Sequence, residues 1–171
     1  MSLIFGSLMG SMWMGYVLVS SLGGTSVFGS STRVYAMTPW FMAGAIAFTA
    51  LSGFLPAYWT SSILTAMGVA FFSGVISTAI TIVTVIGINI LFHDAMMQDP
   101  STIRAFIQAV HHEPTNTELS DFILTDALGG CAMQLWIGPL LGLVIGGTGA
   151  LVGKIVRNFG GRTLRPQLSG L

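Results

Sequence analysis

The sequence predicts an all-α integral membrane protein with four transmembrane helices, and three observations predict it. Of the 171 residues, 53% are hydrophobic and 7% charged; a soluble domain carries about 25% charged residues, so this chain lacks the polar groups to cover a water-facing surface. Mean hydropathy is +0.81, and the apolar residues fall in long blocks instead of being spread through the chain. The charges lie outside those blocks: all six acids between Asp94 and Asp126, and four of the six bases between Lys154 and Arg165. Lipid is the solvent that such a chain fits.

The four blocks predict helices at about 3–22, 38–58, 61–92 and 128–153, since a helix needs about 20 residues to cross a hydrocarbon core of about 30 Å. Residues 94–127 form a structured extramembrane loop and 154–171 a basic tail, all within a single membrane domain spanning 1–171. The first block is uncharged. The second opens on Thr38-Pro39, a capping hydroxyl before a proline suited to the first helical position, and closes at Pro56 and the run to Thr60. Trp40 and Trp59 then stand about one bilayer width apart, where indoles favour the two lipid–water interfaces. The third block is longer than a span requires, so it tilts or continues out of the bilayer. A tight hairpin joins blocks two and three.

The polar connection is itself patterned. Asp99-Pro100 starts a helix in which Ile103, Phe106, Ile107 and Val110 fall on one face, and Glu113-Pro114 ends it. Thr115-Asn-Thr-Glu118 is a capping box, followed by a second apolar stripe of Leu119, Phe122 and Ile123. The expectation is one or two short amphipathic helices on the membrane surface, with loop 94–127 contacting a partner. Lys154, Arg157, Arg162 and Arg165 flank the last helix and place the C-terminus on the cytoplasmic or matrix side. Four crossings return the N-terminus to the same side, with the acidic loop and Arg33 opposite. No basic n-region or Arg-rich amphipathic pattern marks the first 23 residues as a targeting peptide.

No acid or base lies within the four blocks, and ionisable groups in a membrane are where proton relays, ion coupling and voltage sensing reside. A pump or antiporter working alone is therefore disfavoured. The candidate metal ligands are His93, Asp94, His111 and His112. No second histidine in a span opposes His93 across a haem, and no zinc-type spacing joins the set. Cys131 is the single cysteine, which excludes an intrachain disulfide. Gly146-Gly-Thr-Gly149 has neither a preceding strand nor a Gly-Lys-Ser/Thr ending, so it is not a phosphate loop. No cofactor is expected, and zero net charge gives no field for nucleic acid.

Small residues carry the stronger pattern. Gly138, Gly142 and Gly146 recur every fourth residue, Gly149 and Gly153 repeat the step, and Gly6 and Gly10 do the same in the first block. Such faces let helix backbones approach closely in lipid. Ser73, Ser77, Thr81 and Thr84 share one face of the third block. They predict a tight helix contact, with a water-lined path as the alternative. Asn89 and Gln134 are expected to bond between helices.

The run Leu128-Gly-Gly-Cys-Ala132, entering a glycine-rich helix, resembles helices of the mitochondrial inner-membrane import translocases and their respiratory-complex relatives. The basic residue that such helices carry comes here only at Lys154. The sequence as a whole leads us to expect a non-catalytic accessory subunit of a larger membrane assembly, of the respiratory or other energy-converting kind. Its partners would be other membrane subunits and lipids, in the mitochondrial or else a bacterial inner membrane. The alternatives are a small oligomeric channel or facilitator, and a membrane enzyme or cofactor site near His93-Asp94.

Overall fold

The computed structural model describes residues 1–23 and 36–163, with the side chains of 160–163 left aside. Among the described residues it is all-helical: α1 (Ser2–Leu22), α2 (Thr38–Thr60), α3 (Ile63–Leu91), α4 (His93–Met97), α5 (Pro100–Val110) and α6 (Asn116–Thr163). Helices α1, α2, α3 and α6 are each long and apolar enough to cross a membrane.

Local chemistry explains most of the boundaries. Asp99 caps α5 by accepting from the Thr102 amide at 3.3 Å, and its carboxylate also receives the Ser101 hydroxyl. The turn between α2 and α3 needs only two serines. Ser61 takes a left-handed φ of 62°, and the Ser62 hydroxyl accepts from the Thr65 amide at 3.3 Å. The bounds of α2 fall within two residues of those expected, and only its capping differs. Thr38 is already helical, Met37 precedes it, and no side chain caps that end. Pro56 does not end α2, which runs on to Thr60. A proline inside a membrane helix forfeits one backbone bond, and neighbouring elements in the bundle make the loss tolerable.

A larger departure concerns α6. The second amphipathic stripe does not form a separate surface helix, and 154–163 does not form a tail. Both belong to one helix of 48 residues that also contains the fourth span. Neither a proline nor a cap interrupts the chain between Leu119 and Leu128. Moving from a polar to an apolar medium breaks no i→i−4 hydrogen bond, so the helix continues.

In lipid there is no hydrophobic drive to bring helices together, and packing depends on how closely backbones approach. Helix α6 runs antiparallel to α3 and parallel to α2, lying against both. A Cβ built on Gly142 would stand 2.6 Å from the Ala70 carbonyl oxygen of α3, and one on Gly74 would stand 2.5 Å from that of Gly138. Further along, Gly53 of α2 lies directly against the Gly146 backbone. Only glycine fits at these crossings. Helix α1 packs beside α3, with Gly6 and Gly10 under Ile76 and Ile80. The far end of α2 is held by Arg157, whose guanidinium donates to the carbonyls of Tyr58 at 3.0 Å and Trp59 at 2.7 Å. These are carbonyls of the last turn, which lack intrahelical partners and carry the negative end of the helix dipole.

Two substitutions separate close approach from helix propensity. Gly142→Leu should destabilise the bundle by roughly 1–3 kcal/mol or more, because its side chain meets backbone that cannot retreat. Gly87→Ala, which enters open space, should be neutral or stabilising by up to about 1 kcal/mol. Unfolding of lipid-reconstituted protein followed by circular dichroism measures both. Equal effects would refute the assignment of α6 as the close-packed helix.

Candidate functional site: a cleft at the loop end of the bundle

The connection between α3 and α6 folds into a cap with its own small core. Phe106, Leu119 and Ile123 are buried together, and Met96, Met97, Ile103 and Phe122 pack around them. The Phe106 ring meets Phe122 edge-on at 5.5 Å and His112 at 5.6 Å. The apolar stripe of α5 is therefore covered largely by the first turns of α6, not by the membrane surface. Only Ile107 and Val110 of that stripe face outward.

The capping box closes the base of this unit. The Thr115 amide and hydroxyl donate to the Glu118 carboxylate at 2.9 Å and 2.7 Å, and the Glu118 amide returns a bond to the Thr115 hydroxyl at 3.4 Å. These bonds, with a further one from His112, hold the Glu118 carboxyl below the usual carboxylate range. Glu118 stands in the polar first turn of α6, well before the membrane-crossing stretch that starts near Leu128.

Below the cap the bundle opens. The lowest links between α3 and α6 are backbone contacts, but from Gln134 upward the two helices separate. Gly129 and Gly130 would meet nothing if given a Cβ. The gap holds a cavity of about 510 Å³, lined among others by Tyr16, Ser20 and Ser21 of α1, Asn89 of α3, Thr102 of α5 and Asp126 of α6. It borders a smaller pocket of about 150 Å³ that reaches down to Trp13, Thr81 and Gln134. It also shares Asn89 and Ala127 with an apolar slot of about 360 Å³ between α3 and α6, walled by Ile86, Ile90, Leu124 and Leu128. This size is in the range of small-molecule sites.

The candidate metal ligands do not converge. His93 Nε2 lies 3.1 Å from the Ser120 hydroxyl and ties α4 to α6, while His112 Nε2 lies 3.3 Å from the Glu118 carboxylate. His111 takes a left-handed φ of 64° at the end of α5. Among the described residues no three His, Cys, Asp or Glu side chains stand close enough to hold a metal ion. Asp94 lies in the first turn of α4.

The small residues all lie inside the chain's own bundle. Gly138 and Gly142 face α3, Gly149 and Gly153 face α2, and Gly146 meets both. The hydroxyls turn back on their own helix, Ser73 to Val69 O at 2.8 Å, Thr81 to Ser77 O at 2.9 Å and Thr84 to Ile80 O at 2.8 Å, and Ser73 also reaches Ser2 O of α1 at 3.3 Å. Ser77 is buried, and its hydroxyl is without a partner. Asn89 bonds within its own helix, to Val85 O at 3.0 Å, and not to a neighbour. At Gln134 it is the backbone carbonyl that is engaged, by Thr78 at 3.3 Å. Arg33 and Arg165 lie outside the described residues. Sequence reasoning did not single out Tyr16, Thr102 or Asp126. Nothing in their spacing brings α1, α5 and α6 together; the splay of α6 does that.

The fold and the cleft thus define a four-span helical membrane protein with a folded cap over a partly open bundle. No known protein family matches the chain, and neither a curated protein nor a solved structure does.

Two outcomes test the cap. Phe106→Ala removes the centre of its core, a change that costs about 3–5 kcal/mol for a buried ring. Fast amide exchange across 93–110 is expected, with the spans still protected. For Glu118, the folded carboxyl has the lower pKa, so its stabilisation is present above the usual carboxylate range and lost as pH falls through the folded value. Amide protection at 116–119 should therefore fall on acidification, and lose that pH dependence in Glu118→Gln.

Proposed function

We propose that the chain is a non-catalytic subunit of a larger membrane assembly of the energy-converting kind, held there by the outward face of α6. The observation that carries this reading is Trp136. Its indole is 75% exposed, about 12 Å below Leu128 by the helical rise of about 1.5 Å per residue, and so inside the apolar stretch. Indoles favour the interface because their N–H needs a partner, and hydrocarbon offers none. A neighbouring helix presenting an acceptor would supply one. Met133, Leu140 and Val144 are exposed along the same face, which lipid alone would suit; Trp136 is the residue that asks for protein.

The cap supports the same reading, since an ordered loop with its own core is a ready contact surface. Uncharged spans also suit an energised membrane, where each charge moved through the field costs about 2.3 kcal/mol per 100 mV. The mitochondrial or a bacterial inner membrane is the setting proposed, with the Lys154–Arg157 end on the matrix or cytoplasmic side.

Digitonin extraction followed by native electrophoresis tests this. The tagged chain should migrate far above its 18.0 kDa with a fixed set of companions. Trp136→Ala should weaken retention by about 2 kcal/mol, roughly 30-fold, as loss of an interface anchor does. Trp40→Ala, at the interface, should leave it unchanged. A wild-type chain that runs as a lone monomer, or a Trp136→Ala variant that stays fully assembled, would contradict the proposal.

A further inference from the structure

The cleft under the cap has a chemistry of its own. Its lining combines a polar end with an apolar exit, and the two meet at Asn89 and Ala127. At the polar end, Asp126 is exposed, lines the cavity and makes no hydrogen bond or ion pair within the described residues. Across from it, Asn89 donates through Nδ2 to Val85 O, while its Oδ1 is buried without a donor. The remaining polar groups, Tyr16, Ser20, Ser21 and Thr102, are hydroxyls. Among the described residues no Lys, Arg or His lines the space.

This set selects the charge and the hydrogen-bonding sense of an occupant. The Asp126 carboxylate and the buried Asn89 Oδ1 both lack donors, and one of them is an anion. A carboxylate, phosphate or sulfate head would place like charge beside Asp126 with no cation among the described lining residues to offset it, an arrangement that costs free energy. A head that donates hydrogen bonds satisfies both acceptors, and a cationic donor does so with the added strength of a charge-assisted bond. The apolar slot between α3 and α6 adjoins that end of the cavity, next to Leu128, where the sequence turns from polar to apolar. Its walls, Ile86, Ile90, Leu124 and Leu128, are mostly exposed aliphatic side chains, fit for a hydrocarbon chain passing out to lipid.

We propose that the cleft binds a single-chain amphiphile with a non-acidic, hydrogen-bond-donating head, the head against Asp126 and Asn89 and the chain leaving through the slot between α3 and α6. The binding is a property of this chain alone and stands apart from its assembly with other subunits.

The test uses the full chain in phosphatidylcholine nanodiscs, titrated calorimetrically with dodecylamine, dodecanol or dodecanoate, with empty discs subtracted. Dodecylamine should bind at least about tenfold tighter than dodecanoate, and dodecanol should fall between them, in line with the strength of charge-assisted over neutral hydrogen bonds. Asp126→Asn should lower the affinity for the amine about tenfold and leave that for the alcohol within about twofold. Asp126 is exposed, so this variant keeps its fold, which an unchanged thermal midpoint verifies. Ala127→Trp, which blocks the junction of cavity and slot, should weaken amine and alcohol alike. Equal binding of amine and carboxylate, no binding above empty discs, or an Asp126→Asn variant that retains the full preference for amine would each overturn the proposal.

Discussion

Close backbone contact along one face of α6 is the interaction on which the rest of the molecule depends. Lipid offers helices no reward for hiding apolar side chains, so they associate only where many atoms come within van der Waals range. The glycines of α6 provide this twice over, against Ala70 and Gly74 on α3 and against Ala50, Gly53 and Phe54 on α2. Arg157 then fastens the same end by taking up the terminal carbonyls of α2. The half of the bundle near the α2–α3 turn is thereby locked at backbone distance.

The other half is shaped by where that track stops. Above Gln134 the glycines Gly129 and Gly130 face open space, and an apolar slot lies between α6 and α3. The cap packs over this open half. Phe106, Leu119 and Ile123 pin α5 to the upper turns of α6, and His93 joins α4 to the same turns through Ser120. A long continuous α6 makes this possible: one helix, with Pro139 inside it, is packed against α2 and α3 at one end and carries the cap at the other. The cleft is the space left between a helix contact and a small extramembrane core.

The fold was largely legible in the sequence because its signals are local or compositional. Four long apolar blocks need no tertiary information to be recognised as spans, and Asp99-Pro100 and Thr115-to-Glu118 announce helix starts through side-chain chemistry within one turn. What was not legible depended on continuity or on distance. The stripe at Leu119, Phe122 and Ile123 reads as a separate surface helix because its outer face is polar, yet no breaker divides it from Leu128. Pro56 and Thr38 were given their usual roles at helix ends, whereas Thr38 is the first helical residue and Pro56 lies inside α2. The glycine pattern was visible, but not which helices it would meet; self-association and folding of one chain use the same spacing. The cleft was hidden altogether. Tyr16, Asn89, Thr102 and Asp126 come from four helices, and only the splay of α6 makes them neighbours.

Distances between α3 and α6, measured by pulsed electron spin resonance in lipid, test the central claim most directly. One label pair replaces Phe72 and Val144, exposed positions beside the glycine track; the other replaces Ile86 and Leu128, exposed beside the slot. Cys131 is changed to Ala in both. A closed lower half and an open upper half predict one narrow distance population for the first pair and a broader one for the second. A first pair as broad as the second would contradict the account, because α6 would then not be held where its glycines lie.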